Sequence, residues 1–198
     1  DNPSDKLKIV AITGTNGKTT TATLLFDLFK SLGHKSGLLS TVVNLIGNQK
    51  IEATHTTPDA ISINRLLRQM IKEGCKYCFM EASSHAIHQR RVAGIQFTGA
   101  LFTNITHDHL DYHQTFNEYI KAKKQLFDEL PANAFALINE DDRHGEIMIQ
   151  NTNAKVKSYA MKTMADYRAK VLENQFSGLQ INIDGKDLYS RLIGGFNA

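Results

Sequence analysis

The sequence predicts an α/β protein: a mostly parallel P-loop sheet flanked by helices, with a small antiparallel β-sheet near the C-terminus. Three observations carry this prediction. An apolar run at residues 7–12 breaks at Thr13-Gly14 and gives way to an amphipathic segment, the order strand, glycine loop, helix that opens a βαβ unit. Apolar runs of strand length then alternate with helical periods as far as residue 138. Beyond residue 155 the helical periods stop, and short alternating runs replace them.

Taken in order, residues 7–12 are apolar on both faces, as in a strand buried within a parallel sheet. Residues 19–32 carry apolar side chains at 24, 25, 28, 29 and 32, a helical spacing closed by Gly33. A short strand near 37–41 precedes a hairpin of 42–46 with 51–53, turning at Gly47-Asn48. Pro58-Asp59 starts a helix that runs to about Glu73, with Ile63, Leu66, Leu67, Met70 and Ile71 on its inner side. Strands at 77–80 and 100–103, a helix at 116–130 and a strand at 135–138 continue the alternation. The tail reads as four short strands at 155–159, 168–174, 179–183 and 188–193, the last two joined by Asp184-Gly185, a strong hairpin turn.

The 198 residues suit one large α/β domain with a real core. Hydrophobic content of 41% and charged content of 22% are those of an ordinary globular protein. The net charge of +3 is small and its basic residues are scattered, which favours small phosphorylated or carboxylated partners over a nucleic-acid duplex. No apolar run reaches the ~20 residues of a membrane span and no signal-peptide pattern opens the chain, so a cytoplasmic location is expected. Cys75 and Cys78 form a C-x-x-C; no second pair exists to complete a zinc site, and two reduced structural thiols are expected.

Four clusters carry chemistry. In residues 13–20, Gly14 and Gly17 let the backbone turn N–H groups toward a phosphate, and the following helix adds its positive end. Lys18 would reach the β- and γ-phosphates and Thr19 would place a hydroxyl on Mg²⁺, although Ile12 stands where the full P-loop pattern has its first glycine. Glu81-Ala82-Ser83-Ser84-His85 follows a buried strand, so a carboxylate there faces the same crevice and suits a metal bridged to ATP; Ser83 or Ser84 also suits a helix cap. Residues 104–113 hold three histidines and two aspartates, compatible with a metal ligand, an acid–base group or a solvated loop. On the helix 116–130, Lys123 shares the face of Tyr119, Ile120, Leu126 and Phe127, while Lys121 and Lys124 lean outward; a lysine so placed either snorkels or has a function.

Thr13-Gly14-Thr15-Asn16-Gly17-Lys18-Thr19-Thr20 resembles the T-G-T-N-G-K-T-T loop of the Mur ligases, which also lacks the leading glycine. Further matching stretches are Thr56-Thr57-Pro58-Asp59, Glu81 through Ala86, Gln89-Arg90-Arg91-Val92, Phe102 through His113, Ala122-Lys123 with Leu126-Phe127, and Asn139-Glu140-Asp141-Asp142. Within the family they are most similar to the ligases that add the third amino acid to UDP-N-acetylmuramoyl-L-alanyl-D-glutamate. The resemblance implies ATP bound by Gly14, Thr15, Asn16, Gly17, Lys18, Thr19, Thr20 and, near the adenine, Asn197. It implies two Mg²⁺ sites, one at Thr19 and a second held by Glu81 and His109 and supported by Lys123 as a carbamate. Lys18, Glu81, His109 and Lys123 are then the catalytic set, and Thr56, Thr57, Ser83, Gln89 and Arg91 bind the UDP-muramoyl dipeptide. The incoming amino acid is meso-diaminopimelate or L-lysine, a choice these residues do not make. The resemblance also implies that residues 1–198 are the central ATPase domain, between a uridine-nucleotide domain before residue 1 and an amino-acid-binding domain after residue 198. Such a domain alone is expected to be inactive and to bind ATP weakly. Two other readings share the loop: a folylpolyglutamate-type ligase, and a nucleotide-binding P-loop module without ligase activity.

Overall fold

In the computed structural model, residues 2–53 and 55–192 are described, apart from the side chain of Leu110. Asn197 and the end of the strand expected at 188–193 lie outside the described residues. After a short 3-10 turn at Pro3–Lys6, strand β1 (Lys8–Thr13) leads through the glycine loop into α1 (Lys18–Ser31). Strand β2 (Ser36–Leu39) and the hairpin β3 (Val43–Ile46) and β4 (Gln49–Glu52) follow, then α2 (Ala60–Lys72). Asp59 caps α2 by accepting from the amides of Ile61 and Ser62. Next come β5 (Tyr77–Glu81), α3 (Ser84–His88), β6 (Phe97–Phe102), α4 (Leu110–His113), α5 (Phe116–Asp128) and β7 (Phe135–Asn139). The chain continues through α6 (Gly145–Met148), β8 (Lys155–Ala160), β9 (Tyr167–Gln175), β10 (Gly178–Ile183) and β11 (Lys186–Ser190).

The strands form one sheet in the order β11-β10-β9-β8-β7-β6-β1-β5-β2-β3-β4. Strand β1 is central and pairs in parallel with β5 on one side and β6 on the other. Alternate residues of β1 therefore enter two cores. Ile9 and Ala11 pack with Ile63, Leu67 and Phe127 from α2 and α5, while Ile12 packs with Ala22 and Phe26 of α1. Because the chain leaves β1 first toward β2 and later toward β6, the crevice past the carboxyl ends of β1, β5 and β6 is a topological switch point.

Two expectations change. The tail is not four antiparallel strands: β8 is parallel to β7, and β9 is parallel to β8 through Tyr159↔Tyr167 and Ala160↔Arg168. Helix α6 intervenes between β7 and β8, so that connection is a crossover, and crossovers make parallel neighbours. Only β9, β10 and β11 form the antiparallel sheet, which continues the main one. On α1, the buried positions are Ala22 and Phe26, whereas Leu24, Leu28 and Leu32 are exposed along its outer side. On α2, Ile63, Leu67 and Met70 are buried, and Leu66 and Ile71 only partly so. Cys75 and Cys78 are buried free thiols, and burial pushes both above the ordinary thiol range. Among the described residues, no helix is long and apolar enough to cross a membrane.

Candidate active site

The glycine loop leaves β1 at its carboxyl end. Gly17 takes φ +83° as the residue before α1, a left-handed position that glycine adopts without strain. Gly14, at φ +151°, presses on the segment after β6, and a Cβ there would lie 1.9 Å from Thr103 Oγ1. The first N–H groups of α1 have no partner within the helix and point out of its positive end. Lys18 Nζ folds back over the loop and donates to the carbonyls of Gly14 and Thr15, at 2.9 and 2.8 Å. Burial holds its pKa below the ordinary lysine range, against the opposing pull of Glu81 and Asp108.

Glu81 ends β5 with its carboxylate fully buried. Oε1 accepts from the Thr19 hydroxyl at 2.9 Å and the Thr41 amide at 2.8 Å, and Oε2 accepts from the Thr41 hydroxyl at 3.2 Å. These donors are neutral, and among the described residues no cationic side chain bonds the Glu81 carboxylate. A carboxylate and a hydroxyl in contact fit a hard divalent ion such as Mg²⁺. Thr15, Lys18, Thr19, Glu81, Ser83 and His109 line one open cavity of about 310 Å³, together with Asn16, Gly17, Thr20, Thr41 and Thr56. His109 sits at φ +53°, a costly backbone position for a side chain this size, held by Asp108, which accepts from its amide at 2.9 Å. Among the described residues, no group of three or more His, Cys, Asp or Glu converges as a ready-made metal cage.

Lys123 does not snorkel. It is 1% exposed, its Nζ donates to the Gly14 carbonyl at 2.8 Å, and it lies 4.6 Å from the centroid of the Tyr119 ring. Lys18 and Lys123 thus share one carbonyl oxygen. Burial first, and then the Lys18 charge, hold the Lys123 amine well below the ordinary lysine range. Lys124, expected to lean outward, is mostly covered and bonds Asp128 one turn on.

The residues expected to bind the dipeptide form a connected set beside the cavity. Thr57 Oγ1 donates to the Glu81 carbonyl at 2.9 Å and accepts from the Ser83 amide at 3.1 Å. Ser83 caps α3 by accepting from the Ala86 amide. Arg91 donates to the Thr57 carbonyl at 3.0 Å and to Gln89 Oε1 at 2.9 Å, and Gln89 Nε2 donates to the Tyr112 hydroxyl at 3.0 Å. Thr56 lines the cavity itself. Two residues outside the expected set join the site: Thr41, which supplies two of the three donors on Glu81, and Tyr112, which bonds Gln89. Thr41 carries a signal of its own kind: it follows a short strand, at the end where loops of a parallel sheet face the crevice.

A family model described as the Mur ligase middle domain matches residues 12–198. The chain is 61% identical over 198 residues to the UDP-N-acetylmuramoyl-L-alanyl-D-glutamate--2,6-diaminopimelate ligase of Cytophaga hutchinsonii, covering 100% of this chain and 41% of that protein. It is 38% identical over 201 residues to the ligase of the same name from Clostridium perfringens, covering 98% and 41%. A solved structure of a ligase with this name superposes with a TM-score of 0.86 at 33% identity, covering 96% of this chain and 40% of that one. Folylpolyglutamate synthase of Mycobacterium tuberculosis shares the fold, with a TM-score of 0.76 at 16% identity over 98% of this chain and 52% of its own. The chain spans about two fifths of the length of the curated relatives it matches.

Proposed function

We propose that this chain, which belongs to the Mur ligase family and matches its middle domain over residues 12–198, is the ATP-binding domain of a ligase of peptidoglycan precursor synthesis. The proposed substrate is UDP-N-acetylmuramoyl-L-alanyl-D-glutamate, and the proposed incoming amine is 2,6-diaminopimelate, the pair in the names of relatives 61% and 51% identical to this chain. The remainder of the protein would supply the uridine-nucleotide and amino-acid sites. One observation carries the reading: Lys18, Thr19 and Glu81 meet at one cavity where β1 and β5 end.

The chemistry follows from what a carboxylate lacks. It is a poor acyl donor, so the D-glutamyl carboxylate oxygen bonds to the γ-phosphorus of ATP while the bond to ADP breaks. The amine then bonds to the carbonyl carbon of the acyl phosphate, phosphate leaves with the electron pair, and the amine loses a proton. The N–H groups at Gly17 and at the start of α1 would cradle the phosphates, with Lys18 swinging from the Gly14 and Thr15 carbonyls onto the developing charge. Arg91, Gln89, Ser83, Thr56 and Thr57 would hold the dipeptide, Arg91 through a charge-assisted bond to a carboxylate or phosphate. Thr19, Glu81 and His109 would hold Mg²⁺, which supplies charge neutralisation between the two reacting anions. Lys123 has a property that favours carbamate formation: burial and the neighbouring Lys18 charge disfavour its protonated form, and a deprotonated amine attacks CO₂, forms an N–C bond and releases one proton. The resulting anion would be attracted to Lys18, whereas a protonated Lys123 would be repelled by it.

The test is phosphate release by the full-length protein given ATP, the UDP-dipeptide and either meso-diaminopimelate or L-lysine. Release with meso-diaminopimelate is expected. Release only with L-lysine would overturn the choice of amine, and no release with either would overturn the ligase reading.

A further inference from the structure

We infer that Asn104 is the positioning residue of the phosphate loop, gripping the loop tip so that the anion cradle begins at Gly17. This rests on the ATP-binding reading above. Asn104 presents an amide side chain, one acceptor and one donor group at the spacing of a peptide unit. Both are used on the same residue. The Asn16 amide donates to Asn104 Oδ1 at 2.9 Å, and Asn104 Nδ2 donates to the Asn16 carbonyl at 3.2 Å. The Asn104 backbone joins in, its carbonyl accepting from the Thr15 amide at 2.8 Å. The grip continues on both sides. Thr103 Oγ1 donates to the Asn16 carbonyl at 2.6 Å, and Thr15 Oγ1 accepts from the Thr106 amide at 3.0 Å.

The front of the loop is therefore held by the segment after β6, not by the loop's own residues. Ile12, at the place of the missing glycine, pairs with Glu81 of β5 and Leu101 of β6 and is fully buried, so the strand runs on through the point where a glycine would turn it. The turn is made instead against Thr103 and Asn104, which leave no room for a Cβ on Gly14. The amides of Thr15 and Asn16 face this brace and are spent on it. The phosphates are left with the N–H groups at Gly17 and at the start of α1.

The test uses the full-length protein with Asn104→Ala and with Asn104→Leu, which keeps the branched outline and fills the space but makes neither bond. Both are expected to raise KM for ATP about tenfold, the scale of two neutral hydrogen bonds, with kcat and KM for the UDP-dipeptide within about threefold. In the nucleotide-free protein, the Asn16 amide should exchange with solvent faster in both variants than in the parent. Unchanged exchange at Asn16 overturns the brace, as does a rise in KM with Ala but not Leu, which would make volume the cause. Lys18→Ala separates the two claims. If it abolishes nucleotide binding while the Asn104 variants keep a parental KM, the brace falls and the ATP reading stands. If Lys18→Ala binds nucleotide as the parent does, the ATP reading falls and the brace with it.

Discussion

Replacing Lys123 by alanine separates two roles that look alike in a static structure. The side chain is 1% exposed, donates one hydrogen bond to the Gly14 carbonyl, and lies beside the Lys18 ammonium. The substitution deletes three methylenes and the amine, a loss of about 2 kcal/mol in buried stem at about 0.8 kcal/mol per methylene. Relief of the unfavourable placement of an amine beside Lys18 offsets part of this, so the variant should stay folded, destabilised by about 1–2 kcal/mol. Activity should fall much further. If Lys123 acts as a carbamate, the variant loses a buried anion at the charge-dense centre, a term on the scale of 10²–10³ in kcat. Formate or acetate, small enough for the cavity that the stem leaves, should then restore part of the phosphate release in the full-length protein. Methylamine should not. Recovery with methylamine and none with carboxylates would refute the anionic role and make Lys123 a cationic clamp on Gly14. The pH dependence has a defined sign. Since burial lowers the amine's pKa from 10.5, the free amine persists to lower pH than in water. Activity should fall as acid protonates it, and added bicarbonate should slow that fall.

Three further outcomes are expected from thermal unfolding and metal titration. Gly14→Ala should cost more than 2 kcal/mol, because its Cβ would meet Thr103 Oγ1 at 1.9 Å and the Asn104 carbonyl at 2.9 Å; Gly17→Ala meets nothing closer than 3.8 Å and should cost only about 1 kcal/mol of backbone strain. Equal melting points for the two variants would contradict this packing. Glu81→Gln keeps the shape of the side chain but sets an NH₂ among donors from Thr19 and Thr41, so a loss of about 1–3 kcal/mol should accompany weakened Mg²⁺ dependence of nucleotide binding. Burial, then His85 and His88, hold His113 at about 4 against an ordinary 6.5. Between these values the unfolded chain binds the proton and the folded one does not, so stability should fall by about 3 kcal/mol from pH 7 to pH 4, and His113→Gln should flatten that slope.

What was legible in the sequence is what is local to a strand end. The glycine loop and Glu81 follow an apolar run directly and His109 lies in the segment between β6 and α4, and a parallel sheet delivers such residues to one edge whatever the strand order. Thr57, Ser83, Gln89 and Arg91 enter through the resemblance alone; the structure joins them in one hydrogen-bonded set, and their part in dipeptide binding is a proposal. The outward row Leu24, Leu28 and Leu32 was not, because a helical period names a stripe but not which side of it the sheet takes. Strand β8 was misread because Lys155, Lys157 and Val156 alternate like an edge strand, and its parallel pairing depends on α6, a four-residue helix too short for a periodic signal.

Asn104 marks the boundary most sharply. Its place after β6 was visible in the sequence, and so was the missing glycine at Ile12, but nothing in either segment linked them. The link is strand order: β6 pairs with β1, Thr13 lies level with Phe102, and the two loops leave the sheet side by side. A hydrophobic pattern carries no record of which strand is whose neighbour, since either neighbour of β1 buries the same apolar faces. Once β6 is adjacent, the shortened loop needs no glycine at its front, because the turn is shaped from outside by an amide side chain that mimics a strand partner. The loop and the brace should therefore change together: a glycine substituted at Ile12 would loosen β1, at about 1 kcal/mol for backbone freedom and more for the emptied core, without making Asn104 dispensable.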